Sequence, residues 1–220
     1  MPRRARIVIP GVPHHVTQRG NQKADVFFRP ADYKRYCGWA NEYFRKYGLK
    51  ILAYCLMKNH VHFIAIPGQP DSLALTFKNL HMRYAQCVNE ARRTVGHVWQ
   101  GRFYSCILDD AHLYRAVRYV ERNPVRAGLV DLAWQYPWSS AAAHAGEGPS
   151  HIEISLANGA PLPVEWRSYL MSGDEGANKE IRLRTHRCLA FASPGFIESI
   201  ERGLGCSLAC RKRGRPKKRM

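Results

Sequence analysis

The 220 residues predict an α+β fold: a ferredoxin-like antiparallel sheet with helices on one face, followed by a basic C-terminal extension. Three observations lead there. Short apolar runs bounded by turn-forming residues read as strands at 14–19, 51–57, 60–66 and 98–108. Stretches with apolar residues at helical spacing separate them. Their order is strand, helix, strand, strand, helix, strand, which is the ferredoxin-like plan, with a third helix behind it.

The first strand, His14-His15-Val16-Thr17-Gln18-Arg19, stops at the turn-prone pair Gly20-Asn21. Pro30 opens a helix whose apolar face reads Tyr33, Tyr36 or Cys37, Ala40, Tyr43 or Phe44, and Tyr47, with Gly48 as its stop. Residues 51–57 form a buried strand, and Lys58-Asn59 turns the chain into 60–66 to make a central hairpin. After Pro67-Gly68-Gln69-Pro70, Asp71 or Ser72 caps a second helix with Leu73, Phe77, Leu80, Tyr84 and Cys87 or Val88 inward. Its other face carries Lys78, Arg83, Arg92 and Arg93. Residues 98–108 are strand-like, interrupted by Gly101. The Asp109-Asp110 pair caps a third helix with the stripe Leu113, Ala116, Val117, Val120, and Pro124 ends it, because the residue before a proline is pushed out of the α region.

This organisation makes residues 1–145 one domain and 146–220 an extension. Between 145 and 180, six acidic residues face only Arg167 and Lys179, so this stretch reads as an acidic connector or small subdomain. A short helix follows at 194–202, and then the basic tail from Arg211.

Lys and Arg number 34 against 17 Asp and Glu, a net charge of +17 that points to a polyanion, above all nucleic acid, as partner. Seven of those charges sit in the last ten residues, which leaves +10 on the body. No run of about 18 apolar residues offers a bilayer span, and no signal-type block follows the N-terminal Met-Pro-Arg-Arg-Ala-Arg. The expected setting is cytoplasmic and nucleoid-associated. Seven scattered cysteines make no disulfide framework, and Cys206 and Cys210 with Cys188 and His186 have too irregular a spacing for a zinc site.

The chemistry concentrates in two motifs. In Met57-Lys58-Asn59-His60-Val61-His62, strand alternation projects both imidazoles from one face, so that they can close on one cation. In Arg118-Tyr119-Val120-Glu121-Arg122-Asn123-Pro124, helical spacing sets Tyr119 and Asn123 a turn apart on one face. Metal, amide oxygen and phenol together suit a tyrosine attacking a metal-polarised phosphate. Tyr119 lies at the border between the apolar stripe and Arg115, Arg118 and Arg122, where partial exposure is expected. His14 and His15 are adjacent, point to opposite faces and cannot chelate as a pair; they read as structural or DNA-facing. Arg118, Arg122 and Arg126 are candidates for backbone phosphates, and Trp99 and Phe103 for base stacking or core packing.

These blocks resemble a known family. Leu56-Met57-Lys58-Asn59-His60-Val61-His62, Trp99-Gln100-Gly101-Arg102-Phe103 and Arg118 through Gly128 are similar to the signature blocks of the REP-associated tyrosine transposases, relatives of the small single-tyrosine HUH transposases. His15 through Asn21 joins them, and the resemblance covers about residues 1 to 145. It implies an HUH nuclease fold, Mg²⁺ or Mn²⁺ held by His60, His62 and Asn123, and Tyr119 as the nucleophile. It further implies cleavage of single-stranded DNA at hairpin-forming repeats through a 5′-phosphotyrosine. Lys58 replaces a proline common there, at a position that is not a ligand. Residues 187–193 depart from the family pattern. In the tail, Gly214-Arg215-Pro216 within a basic run reads either as an AT-hook, with Arg213, Arg215 and Lys217 as DNA contacts, or as a purely electrostatic segment. The competing function classes are a non-enzymatic DNA-binding regulator on the same fold and a zinc hydrolase that uses water.

Overall fold

The computed structural model describes residues 6–155, 165–205 and 207; Arg213, Arg215, Lys217, Cys206 and Cys210 lie outside them. Four strands form one antiparallel sheet in the order β2-β3-β1-β4: β1 (His14–Arg19), β2 (Leu49–Met57), β3 (His60–Pro67) and β4 (Tyr104–Ile107). The fourth is shorter than its sequence run. Gly101, at φ 64°, breaks the chain before Tyr104, and Trp99 reaches the sheet only through a bridge to Gly20. Lys58-Asn59 closes the central hairpin and pairs Met57 with His60. The register shifts between Ile51 and Ala53, a bulge that turns Leu52 and Ala53 to the same side.

Alternation along β3 sends Val61, Phe63 and Ala65 into one core cluster and Ile64 and Ile66 into another. Helices α1 (Pro30–Lys46) and α2 (Ser72–Arg92) cover the first face, as the ferredoxin-like plan requires. The expectation of helices on one face only is incomplete. α3 (Asp110–Glu121) closes the second face, followed by the single turns α4 (Asn123–Arg126) and α5 (Ala141–His144) and by α6 (Trp166–Met171) and α7 (Glu175–His186). β2 and β3 are buried along nearly their whole length, and strands apolar on both faces need a layer on each side. The last helix, α8 (Pro194–Leu204), brings Ile200 to Ile107 and Ala190.

Local signals account for most helix ends. Asp32 Oδ2 accepts the backbone N–H groups of Phe28 and Arg29 at the start of α1, at 3.0 and 2.9 Å. Asp109 accepts from the His112 N–H at 3.0 Å, the cap expected for α3. For α2, Asp71 stands at the cap without a side-chain bond, and Ser72 Oγ instead accepts from the Gln69 N–H at 3.0 Å. Pro124 does not end α3. The helix stops at Glu121, Arg122 turns the chain, and Pro124 lies in the first turn of α4, where its missing N–H is not needed.

The stretch read as an acidic connector contains α6 and the start of α7, and both helices pack on the sheet's second face through Trp166, Leu170 and Ile181. Packing therefore runs across the expected boundary at 145/146. α7 escaped the sequence reading because only Ile181 and Thr185 of its residues are buried.

Candidate active site

His60 and His62 project from β3 toward the face closed by α3, with ring centroids 4.9 Å apart. Tyr119 comes down from α3 onto the same spot, its ring 5.8 Å from that of His62 and edge-on to it. Strand and helix thus deliver the two motifs to one place. Tyr119 is only 5% exposed, so it is more deeply set than its border position suggested. Asn123 follows one turn later, buried, its Nδ2 donating to the carbonyls of Tyr119 and Val120 at 3.2 and 3.1 Å. With the amide nitrogen held in this way, Oδ1 is the atom left to serve a metal.

Each histidine has one nitrogen engaged. His60 Nδ1 bonds Asn59 Oδ1 at 2.6 Å, which puts its proton on Nδ1 and leaves the Nε2 lone pair. His62 Nδ1 lies 2.8 Å from His15 Nε2, and His15 Nδ1 lies 2.8 Å from Thr185 Oγ1 on α7. The rings of His15 and His62 stack at 5.1 Å, and His15 also meets Tyr119 edge-on at 5.6 Å. His15 reaches this point because Thr17 pairs with His62, so that the residue two positions back falls diagonally beside it on the same face.

All three imidazoles are held neutral. Burial, helped by Arg19 and Arg126, pushes His60 down to about 4. Burial, then His186 and Arg126, pushes His15 to about 3. For His62, burial comes first, followed by His60, His15, Arg126 and Arg19, and its pKa falls well below the ordinary value. Neutral imidazole is the form that ligates. Among the described residues no group of three or more His, Cys, Asp or Glu gathers as a metal cluster.

Arg126 overlies the Tyr119 ring, its Cζ 4.3 Å from the centroid, and Nη2 donates to the Tyr119 carbonyl at 2.9 Å. Its Nη1 is buried without a hydrogen-bond partner. Burial lowers its pKa, yet a guanidinium remains charged at neutral pH.

Two other sequence candidates are engaged inside the protein. Arg118 donates to Ser172 Oγ at 2.8 Å and Asp174 Oδ2 at 3.2 Å and lies over the Tyr169 ring. Arg122 donates to the carbonyls of Leu170 and Ser172. Both tie α3 to the segment joining α6 and α7. Trp99 and Phe103 are buried as well: the indole N–H donates to the His81 carbonyl at 3.1 Å, and Phe103 packs between Phe77 and the Arg6 guanidinium.

Glu121 is a residue the sequence reading passed over. It is fully buried and accepts from Ser140 Oγ (2.5 Å), His144 Nδ1 (2.6 Å) and Trp166 Nε1 (3.0 Å), fastening α3 to α5 and α6. Its spacing was a usable signal, since an acid four residues after Val117 continues the apolar stripe. For His15 the signal was weaker, because its role depends on strand pairing. For Thr185 there was none.

The segment that holds His15, His60, His62, Tyr119 and Asn123 is similar to known proteins. A family model described as transposase, IS200-like, matches residues 10–123, over half of the chain. A Haemophilus influenzae protein provisionally named a REP-associated tyrosine transposase is 26% identical in an alignment of 124 positions that covers 51% of this chain and 66% of that protein's length, just under two thirds. A solved structure of a REP-associated tyrosine transposase bound to a REP hairpin has the same fold, with a TM-score of 0.55 at 21% identity, over 79% of this chain and 93% of the other.

Proposed function

Because the chain belongs to the IS200-like transposase family, we propose that it cleaves and rejoins single-stranded DNA at hairpin-forming repeats, with Tyr119 as the nucleophile. The observation that carries this reading is the edge-on contact of the Tyr119 ring with His62, at 5.8 Å, between two elements remote in sequence. In the proposed step the Tyr119 oxygen attacks the scissile phosphorus and the bond to the 3′ oxygen breaks. The leaving strand takes up a proton to become a 3′-OH, and the other strand stays attached as a 5′-phosphotyrosine. The phosphodiester energy is retained, so a DNA 3′-OH can reverse the step without ATP.

His60 Nε2, His62 Nε2 and Asn123 Oδ1 are the atoms that would hold Mg²⁺ or Mn²⁺, and the two imidazole donors favour Mn²⁺. Such an ion, when bound, supplies Lewis-acid polarisation of the phosphate. The chain's own residues account for the rest. Arg126 sets a cation against the Tyr119 ring, where it can offset negative charge that develops as the phosphate is attacked. Its unpaired Nη1 is a donor for a phosphate oxygen, and a buried donor without a partner costs about 1–3 kcal/mol. The net charge of +17 supports a polyanionic substrate.

The test is incubation with labelled hairpin DNA and Mn²⁺, followed by a denaturing gel. A covalent adduct is expected from the wild-type chain and none from Tyr119→Phe, with DNA affinity and melting temperature little changed. Cleavage by Tyr119→Phe, or cleavage that leaves no adduct, would favour a water-using hydrolase. Binding with no cleavage at all would favour a regulator.

A further inference from the structure

The hydrogen-bonded line from His62 through His15 ends on Thr185, in a helix beyond the segment that the family model covers. Thr185, His15 and His62 are 1%, 1% and 5% exposed, so solvent cannot substitute for a missing partner. A neutral imidazole has one proton and two nitrogens, and a row of such rings has two complementary settings. In one, His62 Nδ1–H donates to His15 Nε2 and His15 Nδ1–H donates to Thr185 Oγ1, leaving a lone pair on His62 Nε2. In the other, every donor reverses and His62 Nε2 carries the proton, which bars it from a metal.

We propose that Thr185, acting through His15, holds His62 in the first setting, which makes α7 a working part of the active site. The proposal rests on the reading of His62 as a ligand. Two observations favour that direction. The Thr185 hydroxyl also bonds the Cys106 thiol, whose own S–H donates to the Ile107 carbonyl at 3.6 Å. In the first setting each of these donors has an acceptor, and the hydroxyl presents its lone pair to His15. Arg126 stands over the Tyr119 ring that meets His62 edge-on, and a cation on that side favours a lone pair over an N–H on the remaining nitrogen of His62. His15 and Thr185 are thus positioning residues, and partners of this kind are typically worth 10- to 100-fold in metal affinity.

The experiment uses the full chain. Long-range ¹H–¹⁵N NMR of the metal-free protein reads the tautomers directly, and calorimetry with Mn²⁺ reads the affinity. Wild type is expected to carry the proton on Nδ1 of both His15 and His62. Thr185→Val keeps the shape and removes the hydroxyl; it should move His62 toward the Nε2–H tautomer and weaken Mn²⁺ binding about 10- to 100-fold. Thr185→Ser should restore both readouts. A wild-type His62 protonated on Nε2 overturns the proposal even if Thr185→Val fails to fold. So does a folded Thr185→Val with unchanged tautomer and affinity. Should both readouts respond as expected while wild type forms no DNA adduct, the positioning role stands and the transposase reading fails.

Discussion

Replacing Arg126 with Gln separates catalytic electrostatics from stability. The guanidinium lies 4.3 Å from the Tyr119 ring centroid, and opposite charges about 5 Å apart at an effective dielectric of about 20 attract by roughly 3 kcal/mol. Partial screening reduces this to about 2–3 kcal/mol, so single-turnover adduct formation should slow about 30- to 150-fold. Stability should barely move. The substitution forfeits the bond to the Tyr119 carbonyl and the cation–π contact, together about 1–3 kcal/mol, but also removes the buried unpaired Nη1, a penalty of similar size. Urea denaturation is therefore expected to agree with wild type within about 1 kcal/mol. Arg126→Lys should recover part of the rate, since it keeps a cation without the planar fork. A rate loss below about threefold in Arg126→Gln, which corresponds to under 1 kcal/mol, would refute a role for this charge.

Glu121→Ala removes the acceptor of three buried donors and should cost about 3–5 kcal/mol in urea denaturation; a loss below about 1 kcal/mol would mean that Ser140, His144 and Trp166 find other partners. Acid should unfold the protein early: burial holds His14 down to about 4 and His81 to about 3, so below the ordinary histidine range the unfolded chain binds protons that the folded one does not. Their contribution is intact above about pH 6.5 and is lost at up to about 1.4 kcal/mol per pH unit for each group as pH falls toward the folded values; stability that is flat between pH 7 and pH 5 would contradict this. Deleting residues 211–220 should weaken DNA binding and lower the slope of log K against log salt by about 0.7–0.9 for each phosphate that the tail no longer neutralises, and an unchanged slope would exclude the tail from binding.

Much of the fold was legible because its signals are local. The strand at 14–19, the Lys58-Asn59 hairpin, the opening of α1 at Pro30 and the Asp109 cap are each written within a few residues. The same locality made His60 and His62 readable as a pair, and Tyr119 and Asn123 as neighbours one turn apart. What was not legible was of another kind. Arg118 and Arg122 sit among polar residues in sequence, yet their partners Ser172, Asp174 and Leu170 lie some fifty positions away.

The sequence by itself determined the order of the strands and the first three helices, the side on which each histidine leaves its strand and the spacing of phenol and amide, because backbone periods of 2 and 3.6 residues dictate them. Only the tertiary structure decided that both sheet faces are covered, that His15 belongs to the site and that Thr185, 170 residues further on, stands behind it. Those facts depend on strand register and on which helix packs over which face, and these are set by the closure of one shared core, not by any segment alone.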